Sequence, residues 1–307
     1  MAMINFMVIG AVKAGTTSVY YYLREHPQVY MSPIKETKFF QWDGEERRFS
    51  GPLDQKIYEM SVKTFEEYQS LFKQVSHEKA IGEATPSYLY NKEVPMRIYR
   101  RFPKVKMIVI LRHPAERAFS HYLHTKWLGY EPLSFSEALA QEDERIQLNW
   151  GPSWHYKQQG FYYEQIKRYM NLFGDQQVRI YLFEDLIGDT FGTISDIYAY
   201  LGVDPNFKPD VNRKYNVRFF PKNQFIHDLT NQYNRPKAIL KSILPKKARE
   251  NLLQFVTAKN RWKPQFDQEL HGQLTECYIE DILKLQDLTK KDLSKWLHGS
   301  KKYLHSC

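Results

Sequence analysis

Gly10-Ala11-Val12-Lys13-Ala14-Gly15-Thr16-Thr17 carries the two glycines of a phosphate-binding loop at their usual separation, with Thr16 where a nucleoside triphosphatase places its lysine. The glycines let the backbone turn so that successive amides point inward. The positive end of the following helix adds to them, so the main chain alone makes a cradle for phosphate. Thr16, Thr17 and Ser18 add hydroxyl donors. Lys13 lies inside the loop, where its ammonium would reach a group beyond the cradled phosphate, at an oxygen that gains charge as a bond breaks. Without a Lys-Ser/Thr pair the loop lacks an obvious magnesium ligand, which points away from ATP or GTP hydrolysis and toward a nucleotide whose transferred group needs no metal. At this level a plain tight turn and a metal-dependent phosphoryl transferase stay open as alternatives.

Such a loop needs a strand before it and a helix after it. The apolar run Ile4 to Ile9 leads in, and a helix-like stretch Val19 to Glu25, closed by His26-Pro27, leads out. A second unalternated run, Val105 to Leu111, leads into Arg112-His113-Pro114 and a helical segment to about Trp127. A third, Val178 to Phe183, follows an amphipathic helix near Tyr162 to Phe173. Apolar strands without alternation, separated by helices, are what a parallel sheet covered on both faces requires. The expected class is α/β, with a P-loop-like central parallel sheet and helices on both faces, as a single domain over 1–307. Ligands of such sheets collect at the carboxyl ends of strands, where the Gly15 loop and Arg112 both fall. The stretch 206–263 is irregular and expected to cover acceptor or nucleotide. Its Lys237, Lys241, Lys246, Lys247 and Arg249, with no acid between them, read as a solvated basic face, and an anionic-polymer-binding protein using them is the rival outside enzymology. Phe266, Leu270, Leu274, Tyr278, Ile282, Leu285 and Leu288 predict a C-terminal amphipathic helix over about 265–297.

The chain has 307 residues, 44 Lys plus Arg against 35 Asp plus Glu, and 42% hydrophobic residues, which excludes disordered and low-complexity classes. The excess of nine positive charges suits phosphorylated partners without requiring them. Cys277 and Cys307 are too few for a disulfide framework or a cysteine zinc site, and neither is spaced from a His pair to make one. No metal is expected. The longest apolar run, Phe6 to Val12, is far short of the roughly 20 residues a spanning helix needs, and no basic residue precedes it as in a secretion signal, so a cytoplasmic protein without membrane or nucleic-acid partners is expected. Glu142-Asp143-Glu144 reads as a solvated helix face. His121 and His124, one turn apart after Arg112, are candidates to approach an acceptor. So are the large flat side chains of Trp42, Tyr88, Trp127 and the segment Asn149 to Tyr156, which includes Trp154.

The stretch Phe6 to Glu25, His26-Pro27 and Pro33-Ile34-Lys35-Glu36-Thr37-Lys38-Phe39-Phe40 resembles the opening of sulfotransferases that use 3'-phosphoadenosine 5'-phosphosulfate (PAPS), particularly the bacterial and heparan-sulfate-type branch. The resemblance continues through Gly82-Glu83-Ala84-Thr85-Pro86-Ser87-Tyr88, Leu111 to Ser120, Gly160-Phe161-Tyr162, Phe183-Glu184-Asp185-Leu186 and Asp292 to Leu297. It implies that Lys13, Ala14, Gly15, Thr16, Thr17 and Ser18 form a 5'-phosphosulfate clamp and that Arg112 and Ser120 bind the 3'-phosphate. It further implies that Glu36 is the base that removes the acceptor's proton. The implied reaction moves a sulfuryl group from PAPS to a hydroxyl, or secondarily an amine, of a small metabolite or saccharide, leaving adenosine 3',5'-bisphosphate (PAP). The heparan-type pattern has an aliphatic residue and His between the Glu and the Phe pair, where this chain has Thr37-Lys38, and that branch's cysteine-bracketed late loop has no counterpart here.

Overall fold

The three apolar runs become strands of one parallel sheet, joined by two further strands that lack so clear a signature. A computed structural model describes residues 4–46, 48–211 and 264–297, with the backbone of 220–221 and 261–262. The strands are β1 (Phe6–Gly10), β2 (Val29–Met31), β3 (Ala80–Ala84), β4 (Lys106–Leu111) and β5 (Val178–Leu182), in the order β2-β3-β1-β4-β5. All four neighbouring pairs are parallel, in registers such as Met7↔Glu83, Met7↔Met107 and Met107↔Val178. Every residue of β1 and β3, and all of β4 after Lys106, is buried. Burial of successive residues means that both faces are covered, which is why these runs do not alternate.

The helices in chain order are α1 (Thr16–Glu25), α2 (Phe39–Trp42), α3 (Asp54–Glu59), α4 (Phe65–Ser70), α5 (Val94–Arg101), α6 (Pro114–Trp127), α7 (Phe135–Ala140), α8 (Glu142–Gln147), α9 (Tyr163–Phe173), α10 (Phe183–Gly188) and α11 (Thr190–Leu201). Among the described residues no helix is long and apolar enough to cross a membrane. Helix α1 starts at Thr16, earlier than the apolar pattern suggests, directly after the left-handed Gly15. Phe183, expected to end a strand, opens α10.

The C-terminal pattern is two helices, Gln268–Glu276 and Ile279–Thr289, followed by a 3-10 turn, Ser294–Leu297, instead of one helix. The break falls at the fully buried Tyr278, whose amide donates to the Thr275 carbonyl (2.9 Å) and whose hydroxyl donates to the Lys157 carbonyl (2.8 Å). Its ring lies over Gly160, where a Cβ would come within 2.7 Å of it. Leu274, Ile282 and Leu285 are buried on either side of the break, so the periodicity runs through it.

The chain divides into two compact units, Met1–Tyr215 with Gln268–Cys307, and Asn216–Asp267. In the second, Phe220–Pro221 pairs antiparallel with Arg261–Trp262. The basic stretch Lys237 to Arg249 and most of 206–263 lie outside the described residues, as does Cys307, whereas Cys277 is exposed and free.

Candidate active site

Residues 11–15 make the turn from β1 to α1. The Ala11 amide donates to the Ile110 carbonyl of β4 (2.7 Å) and the Ala14 amide returns to the Ala11 carbonyl (3.2 Å). Lys13 and Gly15 are left-handed, with φ of 69° and 87°. For Lys13 that conformation costs about 1 kcal/mol, which glycine avoids. A Cβ at Gly15 would also lie 3.0 Å from the Phe183 ring and 3.1 Å from Leu186. Gly15 precedes α1 without a side-chain cap, and the first turn of α1 has no acidic residue. The positive end of the helix therefore faces the loop with no carboxylate of its own to balance it. Ala14 and Thr16 are buried, while Lys13, Thr17 and Ser18 are half-buried.

The next strand, β4, delivers Arg112 to the same edge. Its guanidinium donates to the Lys13 carbonyl (3.4 Å) and to Glu116 (3.0 Å), and stands 4.9 Å over the Phe183 ring. Phe183 thus packs against both Arg112 and the space beside Gly15. Burial lowers the Arg112 pKa, against Glu116, Tyr162 and Glu184, which raise it. The buried Tyr162 hydroxyl donates to the Arg112 carbonyl (3.0 Å), fixing the backbone at this point. Ser120 follows on α6, half-buried. His113 meets the Trp296 carbonyl (3.0 Å), which ties the C-terminal 3-10 turn under Arg112.

On the opposite flank of β1, the Glu36 amide donates to the Ala84 carbonyl at the end of β3 (2.9 Å). Glu36 and Lys38 are left-handed (φ 64° and 56°) on either side of Thr37. The Glu36 carboxylate lies 2.7 Å from the Lys35 ammonium and 3.6 Å from that of Lys38, and 39% of its side chain remains exposed. Burial pushes its pKa up, but Lys35, Lys38 and, more weakly, His124 outweigh that and hold it at about 2. Thr37, between them, is fully buried and donates to Glu83 (2.9 Å).

Glu83 itself is fully buried in β3 and accepts from Tyr68 (2.9 Å), Tyr88 (3.2 Å) and Thr85 (2.6 Å) as well. Neither Glu83 nor Thr37 was identified as a site residue by type and spacing. The available signal was a carboxylate inside the otherwise uncharged run Ala80-Ile81-Gly82-Glu83-Ala84.

The α6 histidines belong to the same neighbourhood. His121 is buried, edge-on to Tyr156 (5.2 Å), and its Nδ1 has no hydrogen-bond partner among the described residues. Burial, followed by the charges of Arg117, His124, Lys13 and His155, holds its pKa well below the usual histidine range. His124 lies close enough for its charge to act on Glu36. The structure thus gathers Lys13, Glu36, His121 and His124. It does not bring every expected aromatic residue to a surface. Tyr88 is fully buried in the Glu83 cluster, and Trp154 is fully buried against Trp150 (4.8 Å) and Arg145 (5.2 Å). Trp42 lines a cavity of about 290 Å³ with Phe49, Asn91, Asn149, Trp150 and His155. Glu142 departs from the expected solvated face: it is fully buried and accepts from the Lys157 and Gln158 amides (2.6 and 2.7 Å). Among the described residues no His, Cys, Asp or Glu trio is grouped to hold a metal.

A model of the sulfotransferase family matches residues 5–209, well over half of the chain. The chain belongs to the sulfotransferase family. A crystal structure of a sulfotransferase from Alicyclobacillus acidocaldarius is 32% identical, with a TM-score of 0.77, covering 96% of this chain and 99% of that one. The membrane-associated sulfotransferase kil1 of Dictyostelium discoideum is 35% identical over 147 residues, covering 46% of this chain and 28% of that protein. The human heparan sulfate glucosamine 3-O-sulfotransferase 3B1 is 26% identical over 289 residues, covering 93% of this chain and 63% of its own length. The chain therefore spans less than two thirds of either of these curated relatives. The sulfotransferase match takes in β1 to β5 and every candidate residue named above, since all fall before residue 209.

Proposed function

We propose that the chain transfers a sulfuryl group from PAPS to a hydroxyl, with an amine as the second acceptor class, and releases PAP. The observation that carries this reading is the order of groups along one sheet edge: Glu36 at the end of β3, the Lys13 loop at the end of β1, Arg112 at the end of β4. The residues suit a nucleotide charged at both ends. The α1 terminus is uncapped and free of acid, and a half-buried guanidinium stands one strand away with a half-buried serine on the helix behind it.

The amides of the loop and the hydroxyls of Thr16, Thr17 and Ser18 would hold the 5'-phosphate, while Arg112 and Ser120 would hold the 3'-phosphate through paired hydrogen bonds. PAPS supplies the sulfuryl group. Lys13 would neutralise the oxygen that gains charge on bond cleavage, and Glu36 would take the acceptor's proton. A carboxylate held at about 2 is a weak base. Anionic charge clamped beside it would offset the neighbouring Lys35 and Lys38 and raise its basicity. The acceptor would approach from the side of the cavity, whose wall residue His155 acts electrostatically on His121. That cavity suits a small metabolite or one saccharide unit.

Sulfur-35 PAPS incubated with phenols, sterol alcohols, amino sugars and desulfated oligosaccharides, in EDTA and in magnesium, tests the proposal. Label is expected in one acceptor class with EDTA present. No transfer under any condition, alongside magnesium-dependent phosphoryl transfer from ATP, would overturn it.

A further inference from the structure

The Glu83 carboxylate is fully buried and has no ion-pair partner among the described residues. Burying an anion without a cation is expensive, and a side chain needed only for volume would be apolar. Its four hydrogen-bond partners are all hydroxyls, those of Thr37, Tyr68, Thr85 and Tyr88. Thr37 and Tyr88 also share a hydrogen bond with each other (3.0 Å), and three of the four hydroxyl oxygens accept from three consecutive amides. Thr85 Oγ1 accepts from Lys38 N (3.5 Å), Thr37 Oγ1 from Phe39 N (3.5 Å) and Tyr88 OH from Phe40 N (3.3 Å). The same segment is tied on its other side by Val62 N to the Thr37 carbonyl (2.9 Å). With Thr37 anchored inward, its left-handed neighbours Glu36 and Lys38 meet each other at 3.6 Å.

We infer that Glu83 is a positioning residue, which orients the hydroxyls of Thr37, Thr85 and Tyr88 so that they hold residues 38–40 and thereby fix Glu36 beside the Lys13 loop. The inference rests on the reading of Glu36 as the base. It adds that a buried carboxylate in β3, which touches neither donor nor acceptor, sets the rate through that base. Burial pushes the Glu83 pKa up and the four hydroxyls pull it down. A glutamine there would present an amide group with two donors to the same hydroxyls, and would turn part of the relay around.

The test uses the full chain and sulfur-35 PAPS, with release of label to water as the rate, since water is present in every assay. Thr37→Val, Thr37→Ser, Glu83→Gln, Glu36→Gln and the double variant E36Q/T37V are compared. Calorimetric titration with PAP reports the folded, donor-binding fraction. Amide hydrogen exchange over residues 38–40 reports the segment itself. T37V is expected to slow release about 10-fold or more, to keep PAP affinity within about twofold and to speed exchange at residues 38–40. T37S is expected to restore both, and E36Q/T37V to be no slower than E36Q, since Thr37 acts only through Glu36. Wild-type release by T37V, or a loss that multiplies with that of E36Q, would overturn the inference. If E36Q itself releases label at the wild-type rate, the base assignment falls and the inference with it. A slow E36Q beside an unimpaired T37V removes only the positioning role. Should T37V fail to bind PAP, Glu83→Gln is judged by the same rate, exchange and affinity readings.

Discussion

At the scale of single residues the site is a problem in placing charge. Glu36 is kept ionised by Lys35 and Lys38 against the pull of burial, so it needs no deprotonation at neutral pH. A carboxyl held at about 2 stays charged down to roughly pH 3, so in the donor-free protein it does not titrate between pH 8 and 5. Removing one cation reverses the balance toward burial. Lys35→Met is therefore expected to move the Glu36 titration and the acid limb of the rate upward in pH, by about a unit, as read by carboxyl carbon-13 NMR and a pH–rate profile. An acid limb that stays in place would show that Lys35 does not set this carboxylate. Lys13 and Arg112 could be singled out in the sequence because their types and positions relative to glycines and strand ends carry chemical meaning, whereas Glu36 was singled out only through the resemblance of its segment to the sulfotransferase opening. Glu83 was not, because its role depends on Tyr68, Tyr88 and Thr37, which reach it only through the fold.

At the scale of elements the loop is where sequence and geometry agree most closely. Gly15 answers two demands at once, a φ of 87° and a missing Cβ beside Phe183. Gly15→Ala is expected to lower stability by about 1 kcal/mol from the left-handed backbone alone, with more from the contact with Phe183. It should also weaken PAP binding, and thermal melting with calorimetry would measure the two effects separately. Unchanged melting and affinity would mean that the turn can close in another way. Strands β1, β4 and β5 were recognisable from largely apolar runs. Strand β2, of three residues, is too short to separate from a loop by periodicity, and β3, though as long as β5, has its apolar run broken by a glycine and a glutamate. The C-terminal helix pair was read as one element because Leu274, Tyr278, Ile282 and Leu285 keep step across the break. Only the packing of Tyr278 over Gly160, far away in sequence, reveals where the helix stops.

At the scale of the whole molecule, strand order converts positions scattered over a hundred residues into one edge. With β1 between β3 and β4, the chain reverses direction of winding at the loop, where parallel α/β sheets hold their ligands. Sequence alone placed the loop and Arg112 at strand ends but not beside each other, because strand order is fixed by long-range pairing. Family membership agrees with that order, and the two-phosphate nucleotide is the point on which the functional reading turns. Calorimetric titration with PAP and with adenosine 5'-phosphate, both in EDTA, tests it most directly. Arg112 and Ser120 are expected to make PAP bind about 10- to 100-fold more tightly, the worth of charge-assisted hydrogen bonds to one added phosphate. Equal affinity for the two nucleotides would contradict the assignment of these residues and the sulfuryl-transfer reading that depends on it.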